Sequence, residues 1–503
     1  MSNIDKIMII GFNLLKCSKK ERNMNKNLIL DVEQNPSKVS HWILFALQHV
    51  LAVLVATITV PLLVPGMPLA ATMVSAGIGT LFYLWVTKSK SPVFLSSSFA
   101  YISPMCSAVG VALISDAANP GVGNINYLAV ILGMLMVGLV YLIVAFVIKK
   151  FGTAWLNKLL PPVVAGPVIM VIGLSLAGSA INNLTNTAVS PANYNLVFIL
   201  CGMIALFVTA FAAHFGEGKM LGLIPFVLGM GAGYVAAVIF TLVGYNGFGN
   251  EYFKVVDFSP LVAIFKEFDF SSIFNYKMFV PNDGESFVIL RFEEIARFDW
   301  ASIGQVALLF IPVSFVTICE HTGDHQNLGN IIGRDLLTEE PGMNRTLIGD
   351  GVGTAISGVL CGAANTTYGE SVAVVGTTKV ASVNVIRLAA IMMVVFGLFT
   401  PFTALLKTIP ACVTGGVSVV LYGFIAGSGV KMLVNKKVDL NVTRNIFIAS
   451  AILVAGIGGL TFKFGDPLSP TIQITSTAVA MILGIILNLA LKEKKVVKEE
   501  KTN

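Results

Sequence analysis

Residues 311–325, IPVSFVTICEHTGDH, and residues 364–376, ANTTYGESVAVVG, each place one carboxylate inside a stretch that is otherwise apolar or built of small residues. These carboxylates are Glu320 and Glu370. A charge at the centre of a bilayer costs from about 2.5 to more than 10 kcal/mol. It persists where it faces protein, water or a ligand, so each acid is a candidate substrate or proton site. The alternative is an acid at a helix end that reaches the membrane surface.

The composition is that of a polytopic membrane protein. Of 503 residues, 55% are hydrophobic and 12% are charged, whereas a soluble domain carries about 25% charged residues. The net charge of +6 comes mostly from tails and short loops, so nucleic acid is not expected as a partner. The six cysteines are scattered without a CxxC pair, which indicates neither a metal site nor a disulfide framework.

The N-terminus carries a short apolar run, IMIIGFNLL, that is too brief to span a bilayer. No small-residue cleavage site follows it, so a signal peptide is not expected. Met1 and Met24 both remain candidate start residues.

About fourteen hydrophobic segments are candidate membrane spans by the criterion of roughly twenty apolar residues. They are 43–64, 68–87, 92–114, 126–148, 161–180, 193–213, 221–245, 302–321, 347–362, 366–377, 385–406, 411–430, 446–462 and 471–490. The third and tenth contain FLSSSFAYISP and AANTTYGESVAVVG, which suit a continuous lipid-facing helix poorly. Non-helical backbone at that depth is tolerated only inside protein or beside a cavity.

Lys and Arg are distributed unequally between the two sides that these segments define. With the N-terminus inside, the short outer loops hold only Lys407 and Lys463. The inner loops hold Lys88, Lys90, Lys149, Lys150, Lys158, Lys219, Arg334, Arg345, Lys379, Arg387, Lys431, Lys436, Lys437 and Arg444. The long outer segment of about 250–300 is not counted, because long loops escape the rule. The bias predicts that both termini are cytoplasmic.

The two halves of the chain look related. ALQHVLA in the first segment matches ICEHTGD in the eighth, and the break SSSFAY matches NTTYGE. Gly166 and Gly173 in the fifth segment have counterparts in Gly416 and Gly423 in the twelfth. Seven segments per half place the second copy upside down, and paired interrupted segments in inverted halves are typical of a transporter binding site. Chance similarity among glycine-rich apolar helices is the alternative.

The motif around Glu320 suits proton carriage. Asp324 lies at i+4 from Glu320 and shares its helix face. Two buried carboxylates at so short a distance disfavour ionisation of both. His321 and His325 are also four residues apart, but EHTGDH is not HExxH, so no metal site is expected. Histidines at a helix end that face headgroups are the preferred interpretation. An intramembrane metalloenzyme built on His321, Asp324 and His325 is the alternative.

The motif around Glu370 suits ligand binding. Gly369 allows a ligand to approach the backbone, and a helix that begins here would aim free N–H groups and its positive end at the site. Phe99, at the matching break, could offer a backbone N–H and an aromatic face, or could simply pack. Carboxylates that accept, amides that donate and a ring that stacks together predict a planar, neutral heterocycle. Both acids would repel an anion.

At these residues the chain resembles the nucleobase–ascorbate transporter family (nucleobase:cation symporter-2), and within it the bacterial uracil permease branch. The similarity runs from about Trp42 to the last hydrophobic segment. It includes QHVLAVLVATITVPLL, SSSFAYISP, PPVVAGPVIMVIGLSLAG, EHTGDHQNLGNIIGRDLL, NTTYGESVAVVGTTKV and GGVSVVLYGFIAGSGV. The resemblance implies an all-α polytopic fold of fourteen spans in two inverted repeats of seven. It also implies short antiparallel strands in segments 3 and 10.

The resemblance further implies a core domain that holds substrate and a gate domain that moves against it. The expected boundaries are 1–40 for a cytoplasmic tail, 41–150 for the first core part (segments 1–4), 151–246 for the first gate part (segments 5–7), 247–300 for a long extracellular loop, 301–407 for the second core part (segments 8–11), 408–491 for the second gate part (segments 12–14) and 492–503 for a cytoplasmic tail. A homodimer is compatible with the resemblance, because relatives pair through gate-domain helices.

Roles of single residues are also carried over by position. Glu320 is expected to accept hydrogen bonds from a pyrimidine ring nitrogen. Glu370 is expected to bind the ring or to orient its partners. Backbone amides of Phe99 and Gly369 are expected to meet a uracil carbonyl, with Tyr368 lining the site.

The resemblance therefore predicts a proton-coupled uracil importer of the cytoplasmic membrane, with no cofactor and no covalent chemistry. Glu370, Asp324 and Glu320 are the expected proton-coupling residues. The carboxylate at Glu370 favours uracil, since purine-transporting relatives commonly have an amide there.

Two positions depart from the family pattern. Some uracil permeases have a histidine where this chain has Asp324, and that aspartate also occurs in purine carriers, so a xanthine or broader nucleobase permease is the alternative. Ser96 replaces a glycine often found before the segment-3 strand. An anion exchanger of the related sulfate-permease fold is a further alternative, although such proteins commonly add a soluble domain after the last span.

Overall fold

A computed structural model describes residues 28–109, 127–186, 194–217, 222, 224–266, 273–274, 298, 300–465 and 470–491. The N-terminal apolar run with Met24, most of the expected loop 247–300 and the tail 492–503 lie outside the described residues. All statements below concern the described part of the chain.

The structure is mostly helical. In the first half the helices are α1 Val39–Leu63, α2 Leu69–Val86, α3 Ile102–Val109, α4 Tyr127–Phe151, α5 Ala154–Leu159, α6 Pro162–Ser175, α7 Ala177–Thr185, α8 Leu196–Phe215, α9 Pro225–Phe240 and α10 Ser259–Lys266. In the second half they are α11 Ile303–Ile332, α12 Gly342–Val359, α13 Gly369–Thr378, α14 Val383–Leu398, α15 Thr400–Lys407, α16 Ala411–Asn435, α17 Thr443–Ile457 and α18 Ser476–Ala490. The strands are β1 Leu95–Ser97, β2 Asn365–Thr367, β3 Phe462–Gly465 and β4 Pro470–Ile474.

Within the described residues, eight helices are long and apolar enough to cross a membrane; one of them joins α6 to α7 as Pro162–Thr185, and another runs on from α9 through a π-helical turn to Gly247. Four shorter apolar helices accompany them. The chain is therefore a multi-pass membrane protein. The count of fourteen spans stays a prediction.

The two polar breaks pair with each other, as predicted. Strands β1 and β2 are antiparallel, with Ser96 opposite Thr366, and every residue in both strands is buried. Helix α2 supplies further hydrogen-bond partners to the strands. Thr80 Oγ1 accepts from the Leu95 amide at 3.0 Å, and the Ser75 carbonyl accepts from Asn365 Nδ2 at 2.9 Å. This is how irregular backbone is accommodated at membrane depth.

The helices pack in two groups. One group consists of α1, α2, α4 and α11–α14, and the other of α6–α9 and α16–α18. Small residues let α6 and α16 approach closely: a Cβ added at Gly166 would come 3.0 Å from the Gly429 carbonyl oxygen. The groups touch where α11 lies against α6 and α18 and where α9 lies against α1.

Two sequence boundaries need correction. The eighth segment was expected to end at 321, but α11 continues to Ile332 and ends at Gly333 in a left-handed conformation. Its last three turns carry polar residues that face protein and a cavity. Hydropathy alone therefore predicts an end of the segment that is too early. The last segment was expected from 471, but the hairpin β3–β4 occupies its start and α18 begins at Ser476.

Candidate functional site

A cavity of about 580 Å³ lies where the β1–β2 pair meets α11, α6 and α16. Its inner wall contains all six residues that the sequence singled out: Phe99, Glu320, Asp324, Tyr368, Gly369 and Glu370. The structure thus brings together residues separated by up to 271 positions along the chain. Their roles toward a ligand stay predictions.

Hydrogen bonds to Thr317 fix the rotation of α11. Tyr101 and Tyr141, from the third segment and α4, place their hydroxyls 2.9 and 2.8 Å from Thr317 Oγ1, and all three side chains are buried. About one and two turns later, Glu320 and Asp324 face the cavity.

The junction of β2 and α13 presents backbone to the cavity. Tyr368 is extended at the helix N-cap, and Gly369 is the first residue of α13. First-turn N–H groups have no acceptor within their own helix, and the positive helix end favours the Glu370 carboxylate in that first turn. A Cβ added at Gly369 would lie 3.5 Å from Asp324 Oδ1, so this backbone lies directly against that acid.

Phe99 opens the matching turn after β1. It begins a 3-10 turn, Phe99–Tyr101, so its N–H is also a first-turn donor. Its ring packs edge-on against Tyr422 of α16, with centroids 5.7 Å apart and planes at 75°. The ring therefore makes a packing contact between the two helix groups at the cavity.

Three carboxylates share the inner wall. The charges of Asp324 and Glu370 act on Glu320, and the Asp324 charge acts on Glu370. No Lys or Arg of the described residues forms an ion pair with any of the three. Asp324 Oδ2 is buried, and the Thr367 side chain is the neighbour that interacts with this carboxylate. The inner cavity therefore suits a ligand that donates hydrogen bonds or brings a proton.

The interpretation of His321 and His325 as helix-end groups facing lipid headgroups is wrong. Both are fully buried in the interior of α11, and their rings stack with centroids 4.0 Å apart. His321 Nδ1 lies 2.6 Å from Asp350 Oδ2 and its Nε2 lies 2.9 Å from Thr346 Oγ1. His325 Nε2 lies 2.5 Å from the Tyr83 hydroxyl. Polar partners on α2 and α12 explain why these rings are buried.

Asp350 is the functional candidate that the sequence analysis missed. It lies within α12, is fully buried and pairs with His321 immediately behind Glu320. The signal was present, because Asp350 is a lone acid in the apolar, glycine-rich run LIGDGVGTAISG. The rule that identified Glu320 and Glu370 applies to it equally. In the described chain no three His, Cys, Asp or Glu side chains cluster as metal ligands would.

Comparison with known proteins gives consistent matches. A family model described as "Permease family" (Xan_ur_permease) matches residues 40–465. The chain is 39% identical over 468 residues to a protein of Bacillus caldolyticus named uracil permease, covering 93% of this chain and 95% of the relative. It is 36% identical to the uracil permease of Bacillus subtilis (strain 168), covering 93% and 97%, and 33% identical to that of Escherichia coli (strain K12), covering 90% and 92%.

Solved structures share the fold at low sequence identity. The transmembrane domain of the cyanobacterium bicarbonate transporter BicA matches with a TM-score of 0.55 and 13% identity, covering 91% of this chain and 99% of that one. The murine anion transporter Slc26a9 matches with a TM-score of 0.60 and 11% identity, covering 96% and 74%. These likenesses concern the fold alone, whereas the family match spans most of the chain. The chain belongs to this permease family and is a membrane transporter, not an enzyme.

Proposed function

We propose that this protein imports uracil across the cytoplasmic membrane together with a proton. The observation that carries the proposal is the shared cavity, in which Glu320, Asp324 and Glu370 face first-turn N–H groups of two opposed chain breaks. The relatives at 33–39% identity that are named uracil permease support uracil as the substrate.

The chemistry of the inner cavity matches the uracil ring. Glu320 and Glu370 are acceptors for ring N–H groups, and hydrogen bonds to charged groups are worth about 1.5–3 kcal/mol each. The amides of Phe99 and Gly369 are donors for the ring carbonyls, and Tyr368 closes one side. A carboxylate-lined wall disfavours an anion, which speaks against the anion transport that the fold neighbours are named for.

The crowding of the three acids supports proton coupling. Burial of several carboxylates close together disfavours full ionisation, so a proton taken from outside lowers the charge at the site before uracil binds. Asp324, beside the Gly369 backbone, is a candidate proton carrier along with Glu370 and Glu320. Release of uracil and the proton to the inside completes the cycle.

The transport movement would take place between the two helix groups. Their packing supports the expected core and gate domains, with the cavity at the boundary and the Phe99–Tyr422 contact across it. Fourteen spans in two inverted repeats, cytoplasmic termini and a gate-domain homodimer belong to the same proposal. The pairing of β1 with β2 supports the repeat relationship between segments 3 and 10.

Uptake of labelled uracil into proteoliposomes tests this function. An inward proton gradient should drive accumulation above equilibrium, and a protonophore should abolish it. Accumulation that persists without any proton gradient would contradict coupling, and absence of uracil uptake would contradict the substrate.

A xanthine or broader nucleobase permease is the second candidate, favoured by the aspartate at position 324. Competition separates the two. Unlabelled xanthine should leave uracil uptake largely intact, and full inhibition by xanthine at low concentration would favour the broader carrier.

A further inference from the structure

The outer half of the cavity differs chemically from the acidic inner half. It is lined by exposed amide side chains of α11, which are Gln326, Asn327 and Asn330. The other side is lined by Lys431 and Asn435 of α16 and by Lys436, the residue that caps this helix. Lys436 Nζ donates to Gln326 Oε1 at 2.7 Å. One continuous cavity is therefore acidic at its closed end and basic at its mouth.

The two ends lie at different depths of the cavity. Gln326 follows Glu320 by six residues on the same unbroken helix, which corresponds to about 9 Å along the axis. That separation is close to the Debye length of roughly 8 Å at physiological salt, and partly buried charges are screened less than exposed ones. Asp324 lies only two residues before Gln326, so an anion beside Gln326 is repelled by the acids and needs both lysines to offset that repulsion.

We propose that the cavity also binds a pyrimidine nucleoside monophosphate, with the base at Glu320 and Glu370 and the phosphate between Lys431 and Lys436. This inference rests on the proposed function, because it uses the same base site. The nucleotide keeps the N3–H donor and both carbonyls of uracil but lacks N1–H, so only one of the two acids accepts a hydrogen bond from its ring. Its ribose is attached at N1, which must then point toward the mouth, where Asn327, Asn330 and Asn435 can reach the ribose hydroxyls.

The site has a direct functional consequence. The distribution of Lys and Arg assigns the mouth to the cytoplasmic side. A transfer reaction that joins imported uracil to phosphorylated ribose would release the nucleotide on that side. The phosphate is too strongly charged to be carried across the membrane, so the nucleotide would occupy the inward-open cavity without being transported and would block it. Uracil import would then be inhibited by the nucleotide that is made from uracil.

Competition binding on the purified full-length protein tests the site. Labelled uracil is displaced by uridine monophosphate, by uridine and by inorganic phosphate in parallel. We expect the nucleotide to compete at a concentration about tenfold lower than uridine, because charge-assisted hydrogen bonds to two lysines add to the base contacts. Phosphate alone should not compete at those concentrations.

In the variant Lys431→Gln/Lys436→Gln, the affinity for the nucleotide should fall to that for uridine, while the affinity for uracil stays unchanged. Lys149→Gln, an exposed lysine on α4 away from the cavity, is the matched control and should behave as wild type. A nucleotide no better than uridine, equal competition by phosphate, or an unchanged double variant would each overturn the inference.

Thermal stabilisation by uridine monophosphate, measured without uracil, separates this inference from the proposed function. Protein that binds uracil but not the nucleotide contradicts only the inference. Protein that is stabilised by the nucleotide through the two lysines but does not bind uracil contradicts the proposed function and retains the site.

Discussion

His321 Nδ1 lies 2.6 Å from Asp350 Oδ2, and neither side chain is exposed to solvent. The pair joins α11 to α12, and Thr346 contacts the other ring nitrogen. Since His321 directly follows Glu320, the pair holds the same helical turn that presents Glu320 to the cavity. The direction of the cavity-facing acid therefore depends on a contact outside the cavity.

Breaking this pair should destabilise the protein. Asp350→Asn or His321→Gln alone should each lower the free energy of unfolding by about 3 kcal/mol, because each leaves a buried partner unsatisfied. The double variant should cost clearly less than the sum, since it removes both partners together. Denaturation of the purified protein in detergent measures this, and strictly additive costs would show that the contact contributes no coupling.

How much of the site could be predicted depends on how strongly each residue differs in polarity from its neighbours in the sequence. Glu320 and Glu370 are conspicuous because they are charges in apolar runs, and the breaks at Ser96–Tyr101 and Asn365–Glu370 are conspicuous by their polarity. Both features led correctly to one place in the fold. Asp350 has the same contrast, but it lies in no break and matches no internal counterpart, so only its charge distinguishes it in the sequence.

The remaining errors come from treating hydropathy as the only criterion for a spanning helix. The stretch QNLGNII reads as a loop, yet it continues α11, because a helix that lines a cavity needs no apolar surface on that side. A helix that ended at 321 would leave both histidines at the membrane surface. The partners that bury them, Asp350 and Tyr83, are distant in sequence and only the fold brings them near.

Glu320→Gln tests the acceptor role of the inner wall. The amide preserves the shape but removes the negative charge, so we expect uracil affinity to fall at least about tenfold through loss of one charged hydrogen bond. Isothermal titration or equilibrium binding measures the affinity. Glu339→Gln, at an exposed position outside the cavity, is the control and should bind normally. Wild-type affinity in Glu320→Gln would remove this residue from the site.

Glu370→Gln tests coupling separately from binding. If Glu370 carries or orients the coupling proton, its neutral analogue should impair uphill accumulation more than uracil-for-uracil exchange, since exchange needs no net proton movement. Both modes are measured in the same proteoliposomes with labelled uracil. Equal losses in accumulation and exchange would assign Glu370 to ligand binding alone.

Glu340 lies outside the membrane-spanning segments and offers a test of pH-dependent stability. Lys88 Nζ donates to its Oε1 at 2.8 Å and Lys90 donates to its other oxygen, and these hydrogen bonds lower the pKa of Glu340 from 4.5 to about 2. Because the folded-state pKa is depressed, the stabilisation is complete above about 4.5 and is lost as the pH falls toward about 2.

The Glu340 carboxylate is exposed, so the effect should be small and should weaken with salt. Glu340→Gln should lower the Tm slightly at neutral pH and low salt, and the difference from wild type should shrink as the solution is acidified. Calorimetry at several pH values measures it. A difference that grows on acidification would have the wrong sign for this ion pair.

Gly369→Ala tests whether a ligand reaches the backbone at the start of α13. Alanine suits a helix and its Cβ would lie 3.5 Å from Asp324 Oδ1, an ordinary contact, so the fold should be retained. The methyl group would nevertheless stand between the Gly369 N–H and a ring carbonyl, so uracil affinity should fall about tenfold, and further in Gly369→Val. Gly423→Ala, whose added Cβ meets nothing within 4 Å, is the matched control for glycine replacement and should bind as wild type. Normal affinity in Gly369→Val would mean that the substrate does not approach this backbone.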